Sequence, residues 1–251
     1  ILWETYRDHY GKTSPILVAQ ADTLTMNPTL PKSIVDEAYQ QDPIAASAEY
    51  GAQFRTDVES YVTYESLEAV TRPSNLEIMP ARSHRYSAFV DPSGGSADAF
   101  TLAIVHRENN RVIVDAMRKA TPPFSPEAVV EDFCQLLSEY RVTSISGDNY
   151  AGEWPKEQFR KRGVQYVRSE KPKSQLYRDL LPLINSESVE FPPDRMLLRE
   201  LQGLERRTSR TGRDTIDHGH GAHDDLANAV AGACVYSKPF NPPNPTIRFN
   251  S

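Results

Sequence analysis

Tyr86-Ser87-Ala88-Phe89-Val90-Asp91 opens the stretch that decides the fold: an apolar run that ends on an acid, followed by the turn-forming Pro92-Ser93-Gly94-Gly95-Ser96. Phe100-Thr101-Leu102-Ala103-Ile104-Val105 returns as a second strand, Glu108-Asn109-Asn110 turns again, and Val112-Ile113-Val114-Asp115-Ala116 makes a third. Turns this short predict an antiparallel meander of three strands. Ser125-Pro126-Glu127 then starts a helix, with a capping Ser, a Pro at the first helical position and an acid in the first turn. Val129, Val130, Phe133, Leu137 and Tyr140 mark its buried face. Thr143-Ser144-Ile145-Ser146-Gly147-Asp148 is a fourth strand that again ends on an acid. The helix before it makes it parallel to a neighbour.

Beyond Asp148, the pattern predicts a helix over Trp154–Arg162, a strand over Val164–Val167, and helices over Ser174–Asn185 and Asp194–Arg206. Arg206 to Ile216 reads as a polar hairpin turning at Gly212, and His223-Asp224-Asp225-Leu226-Ala227-Asn228-Ala229 opens a last helix whose small residues allow close approach to a sheet. The expected class is α/β, a mixed central sheet flanked by helices. Residues 1–72 hold too few large apolar side chains for a core of their own. Within them Pro15-Ile16-Leu17-Val18-Ala19 predicts a strand, and Ser33 through Phe54 a helical segment broken near Asp42-Pro43.

The 251 residues suffice for a sizeable core without covalent staples, and 39% apolar with 25% charged residues suits a globular chain. No apolar run is long enough to span a membrane, and Ile1-Leu2-Trp3-Glu4-Thr5 lacks the features of a signal peptide. Cys134 and Cys234, both in predicted helices, read as buried thiols of a reducing compartment, which points to the cytoplasm. A net charge of −6 weighs against a nucleic-acid partner at first sight. Carboxylates gathered for a metal would also lower the total.

Three acids stand at special places: Asp91 at the end of the first strand, Asp148 at the end of the fourth, and Asp224 with Asp225 at the start of the last helix. With the first and fourth strands adjacent, the strand-end acids lie side by side and the helix supplies a third wall. An oxygen-rich set without thiolates suits Mg²⁺ or Mn²⁺ over Zn²⁺. Two such ions, about 3.5 to 4 Å apart, are suited to hydrolysing a phosphodiester. The helix N-terminus should favour ionised Asp224 and Asp225, and their ~100° separation on the helix leaves one of the two facing the metals. Taken singly, each acid has a structural alternative as a turn former or helix cap. His218, His220 and His223 lack the partners of a zinc-finger pattern and read as a loop leading to the helix. The Gly94-Gly95 turn does not meet the dinucleotide pattern, and no other cofactor site is expected.

The succession Phe89-Val90-Asp91-Pro92-Ser93-Gly94-Gly95, Gly147-Asp148-Asn149 and His223-Asp224-Asp225-Leu226-Ala227-Asn228-Ala229 resembles the C-terminal nuclease domain of phage large terminase subunits, of the ribonuclease H-like superfamily. Met26-Asn27-Pro28-Thr29-Leu30 and Ala48-Glu49-Tyr50-Gly51-Ala52-Gln53-Phe54-Arg55 are similar to the stretch linking terminase ATPase and nuclease. The resemblance implies a ribonuclease H-like sheet of meander plus parallel strands. It further implies a linker over 1–76 that ends a missing ATPase, a nuclease domain over 77–238, and a Pro/Asn-rich tail over 239–251. It makes Asp91, Asp148 and one or both of Asp224 and Asp225 the catalytic metal ligands, leaning towards Asp225, and adds Asp98 near the metals. The implied activity is a metal-dependent endonuclease that cuts concatemeric viral DNA during packaging. The expected partners are double-stranded DNA, a portal protein and a small terminase subunit, in the cytoplasm of an infected host cell, with the isolated chain a monomer.

A terminase motor needs a phosphate-binding loop, and Tyr10-Gly11-Lys12-Thr13 lacks its upstream glycine because Tyr6 stands there. A fragment or truncated copy without the motor is therefore expected. DNA contact falls to Arg206, Arg207, Arg210 and Arg213 of the hairpin and to Lys171 and Lys173 after the fifth strand, beside Arg168. Two other readings stay open: another ribonuclease H-like enzyme such as a transposase or junction resolvase, and a non-catalytic docking module of a packaging motor.

Overall fold

A computed structural model describes residues 2–54, 58–93, 98–148, 153–208, 214–219 and 221–237. Gly94-Gly95, Asn149, Arg210, Arg213, His220 and the 239–251 tail lie outside these residues.

The N-terminal part is helical: α1 (Leu2–His9), α2 (Thr23–Met26), α3 (Lys32–Gln41) and α4 (Pro43–Glu49). The break between α3 and α4 falls where the sequence placed it. The Asp42 carboxylate accepts the Ala45 N–H at 3.0 Å, so Asp42 caps α4 and Pro43 takes the first helical position. The strand expected at Pro15–Ala19 does not form. Pro15 cannot donate to a ladder, Leu17 is 95% exposed, and the Ile16 N–H turns to the Ser14 hydroxyl, a local bond that competes with strand pairing.

Then come β1 (Val58–Ser60), α5 (Tyr64–Ala69) and the meander β2 (Tyr86–Asp91), β3 (Phe100–Glu108) and β4 (Arg111–Ala120). After them follow α6 (Pro126–Glu139), β5 (Ser144–Gly147), α7 (Trp154–Lys161), β6 (Gln165–Arg168), α8 (Lys173–Asn185), β7 (Val189–Glu190), α9 (Arg195–Gln202), β8 (Leu204–Thr208), β9 (Asp214–His218) and α10 (Asp225–Tyr236). The main sheet has the order β6-β5-β2-β3-β4-β7. β2, β3 and β4 pair antiparallel, and β5 joins β2 in parallel with Val90 opposite Gly147. A smaller sheet has the order β1-β8-β9. The helix expected to reach Arg206 ends at Gln202, because Leu204 starts β8 opposite His218 and makes the hairpin longer than its polar residues suggested.

Side chains of β2 alternate between two cores, as its period of two requires. Phe89 points into a core with α8, α9 and α10, whereas Ala88 and Val90 point into the core of α6 and α7. The result is three layers, helix on sheet on helix. α10 is buried along nearly its whole length, and its Gly232 lies so close to Phe89 that a Cβ there would overlap the ring. Small residues are thus the condition for seating α10 over β2. Residues 58–72, read with the linker, enter the main core through Tyr61, Val62, Leu67 and Val70.

Candidate active site

The parallel pairing of β2 and β5 brings the two strand-end acids together: the Asp148 N–H donates to the Val90 carbonyl at 3.2 Å, beside Asp91. Across from them stands the first turn of α10. Asn228, one turn into that helix and only 1% exposed, donates its Nδ2 to Asp91 Oδ2 at 2.8 Å and to Asp148 Oδ2 at 3.5 Å. Asn228 was read only as part of a motif, with no role of its own. Its i+3 spacing from Asp225 puts it near the same helix face.

Asp224, the N-cap residue of α10, and Asp225, its first helical residue, turn to different partners. Asp224, 5% exposed, accepts from the Tyr177 hydroxyl at 2.8 Å and pairs with Lys173 at 3.0 Å, both on α8. Asp225 turns to the meander: its Oδ2 lies 3.4 Å from the Ala99 N–H and 3.8 Å from Lys119 Nζ, and its carbonyl accepts from the Thr101 hydroxyl at 2.7 Å. Asp91, Asp148, Asp224, Asp225 and Asn228 all line one cavity of about 610 Å³, together with Asp98, Pro92, Lys173, His218 and His223. The five acids singled out in the sequence thus line one cavity.

The basic residues do not. Lys173 reaches the cavity, held between Asp217 at 2.8 Å and Asp224. Lys171 pairs with Asp179, and exposed Arg207 with Glu205 at 2.8 Å. Arg206, expected as a DNA contact from its charge and its closeness in the chain to the acids, is 5% exposed, and its guanidinium is taken up by Asp42 of the N-terminal helices and by Asp214. It ties the hairpin to the α3–α4 junction. Alternation along a strand decides this, because Arg206 points inwards where Arg207 points out.

Burial and like charge dominate the electrostatics. The Asp91 carboxyl is pushed up to about 8, first by burial and then by Asp148, Asp225 and Asp224, with the Asn228 hydrogen bond opposing them. Asp225 is raised as well, by burial above all, against the pull of Lys119 and the Ala99 N–H. Burial thus outweighs the charge-stabilising groups around Asp225. The first-turn Leu226 and Ala227 N–H groups already donate to Glu200 Oε2, at 2.8 and 2.9 Å.

The strand-end carboxylates Asp91 and Asp148 share the Asn228 amide as donor, while Lys173 and Lys119 attend Asp224 and Asp225. The Asn228 Oδ1 is buried without a hydrogen-bond partner. Oxygen donors of this kind fit a hard divalent cation. On the other side of Asp224, Asp217 and His218 offer ligand atoms that lie with those of Asp224 within 4.8 Å of one another.

No protein-family model and no curated protein sequence matches the chain. Solved structures do. The large terminase nuclease from thermophilic phage G20c superposes with a TM-score of 0.59 at 17% identity, over 70% of this chain and 98% of that one. The same nuclease with bound magnesium gives 0.58 at 17% identity, over 70% and 97%. The large terminase of bacteriophage HK97 gives 0.58 at 12% identity, over 93% of this chain and 60% of that protein. The chain has the ribonuclease H-like fold of the phage large terminase nucleases.

Proposed function

We propose that the chain is the nuclease part of a phage large terminase, a divalent-cation-dependent DNA endonuclease that cuts concatemeric DNA during packaging. The observation that carries this reading is the convergence of Asp91, Asp148 and the Asp224-Asp225 pair on one cavity, from three elements of a terminase-nuclease fold. Asp91, Asp148 and Asp225 would hold the cations, Asp98 would stand by at the rim, and Asp224 would share its carboxylate with Lys173 and Tyr177. Two Mg²⁺ or Mn²⁺ ions held by these carboxylates would supply a more acidic bound water and stabilisation of charge on a phosphodiester oxygen. Asn228 holds the two strand-end carboxylates in mutual register. Lys173 brings a fixed positive charge to the cavity, where a DNA phosphate would enter.

Double-stranded DNA is the proposed substrate, with portal protein and small terminase subunit as partners and the infected cell's cytoplasm as the place of action. Among the described residues, no helix is long and apolar enough to cross a membrane. Supercoiled plasmid incubated with Mn²⁺ or Mg²⁺ should be nicked and linearised by the wild-type chain and left intact by Asp91→Ala, Asp148→Ala and Asp225→Ala. Equal cleavage by wild type and variants would end the proposal.

A further inference from the structure

We infer that Glu200, which stands outside every acid motif, positions Asp225 for cation binding and draws the competing Lys119 ammonium towards itself. The inference rests on the nuclease reading and concerns how the same site is held.

The N-terminus of a helix has four N–H groups that need acceptors, and the N-cap side chain ordinarily supplies one. Here the N-cap residue is Asp224, and its side chain makes no capping bond because Lys173 and Tyr177 engage it. Glu200, on α9 and 8% exposed, substitutes for it by accepting the Leu226 and Ala227 N–H groups with one carboxylate oxygen. Its other oxygen accepts from Lys119 Nζ at 2.7 Å, whereas Asp225 Oδ2 lies 3.8 Å from the same nitrogen. The ammonium is thus held chiefly on Glu200, with Asp225 as the longer of its two ion pairs.

Two consequences follow for Asp225. Its backbone is pinned by the cap, and its carboxylate is not monopolised by a competing cation. Removing the Glu200 charge leaves Lys119 with Asp225 as its remaining nearby anion, and the ammonium then competes with a divalent ion for that carboxylate. Residues that orient metal ligands typically change metal affinity by about 10- to 100-fold when altered. Gln is the informative replacement, since its carbonyl oxygen can still accept the two N–H bonds while its charge is lost.

The test measures Mn²⁺ affinity by calorimetry on the full chain, beside the thermal midpoint. Glu200→Gln should weaken Mn²⁺ binding about tenfold, and adding Lys119→Met to it should restore affinity to within about threefold of wild type. A plain structural cap predicts otherwise: a lower midpoint, unchanged affinity and no rescue. Affinity within twofold of wild type in Glu200→Gln, or failure of Lys119→Met to restore it, overturns the inference. Should Glu200→Gln fail to fold, Lys119→Met carries the test alone: tighter Mn²⁺ binding is expected, and weaker binding overturns the inference. A wild-type chain that binds Mn²⁺ but leaves DNA intact would end the nuclease reading and leave this inference standing, whereas absence of Mn²⁺ binding ends both.

Discussion

Two aspartates of one sheet, half-buried Asp91 on β2 and fully buried Asp115 on β4, are both raised by burial but have opposite surroundings. Asp115 is fully buried and receives His106 Nδ1 on both oxygens, at 2.9 and 2.8 Å, with the Arg72 guanidinium also acting on it. Burial raises its carboxyl while His106, Arg72 and His84 pull it down. Asp91 has one amide donor and three neighbouring carboxylates, each of which raises it further. A buried charge must be paired or it neutralises. The protein completes the pairing of Asp115 from within; on the proposed reading it leaves that of Asp91 to a divalent cation, a difference that would separate a structural acid from a functional one more clearly than burial does.

Exchange of each acid for its amide should have the largest and most unequal effects. Asp91→Asn should lower plasmid cleavage at least about ten-thousandfold, some 5.5 kcal/mol of lost transition-state stabilisation, and leave the fold intact. Asp115→Asn should do the reverse. Removing one partner of a buried pair costs about 3 kcal/mol of stability, read by chemical denaturation, while cleavage per folded molecule stays within a few-fold of wild type. An inactive but fully stable Asp115→Asn would sink the distinction.

Titration sharpens it next. The Asp91 carboxyl holds its proton up to about pH 8 in the metal-free fold, whereas in the unfolded chain it ionises near its ordinary value of 3.8. Between these values the native state binds more protons than the unfolded state, so stability falls as pH rises, by up to about 1.4 kcal/mol per pH unit. Below pH 4 and above pH 8 this contribution is flat. Asp217, whose carboxyl is lowered through Lys173, acts in the opposite sense at lower pH, so the clean measurement is wild type minus Asp91→Asn. That difference should shrink on adding Mn²⁺, which favours the ionised carboxylates. A wild-type minus variant difference that does not change between pH 5 and 8 would contradict the assignment.

Arg206 offers the same contrast among the basic residues. Its guanidinium sits between Asp42 and Asp214, so Arg206→Ala should cost about 3 kcal/mol in denaturation while the salt dependence of DNA binding keeps its slope. A shallower slope with unchanged stability would return Arg206 to the DNA-contacting set.

The strands of the meander, the parallel β5 and the acid-bearing start of α10 were legible because each carries a local signal: alternation, short turns, an acid at an element's end. Residues 58–72 were not, since their strand exists only through pairing with Leu204–Thr208 more than a hundred residues away. Glu200 was silent for the same reason. Nothing around Arg199-Glu200-Leu201 distinguishes it from a solvated helix face until α10 is seen above it. Asn228 lay inside a quoted motif but looked like one more small helical residue, and its role appears only when β2 and β5 put two carboxylates against it. Charge runs misled in the other direction, since Arg206 and Arg207 are adjacent and alike in sequence but lie on opposite sides of a strand.

The smallest effect is expected at that second arginine. Arg207 is exposed and its partner Glu205 is two residues away on the same strand, an arrangement in which solvent screens most of the attraction. Arg207→Ala should change stability by less than about 0.5 kcal/mol. If the outward face of β8 touches DNA beside the cavity, the same substitution removes one phosphate contact. The slope of log affinity against log salt then falls by about 0.9, with equal loss on every sequence. Unchanged affinity and slope would remove Arg207 from the DNA-contacting set and turn attention to Lys173, which among the described residues of that set is the one that lines the cavity.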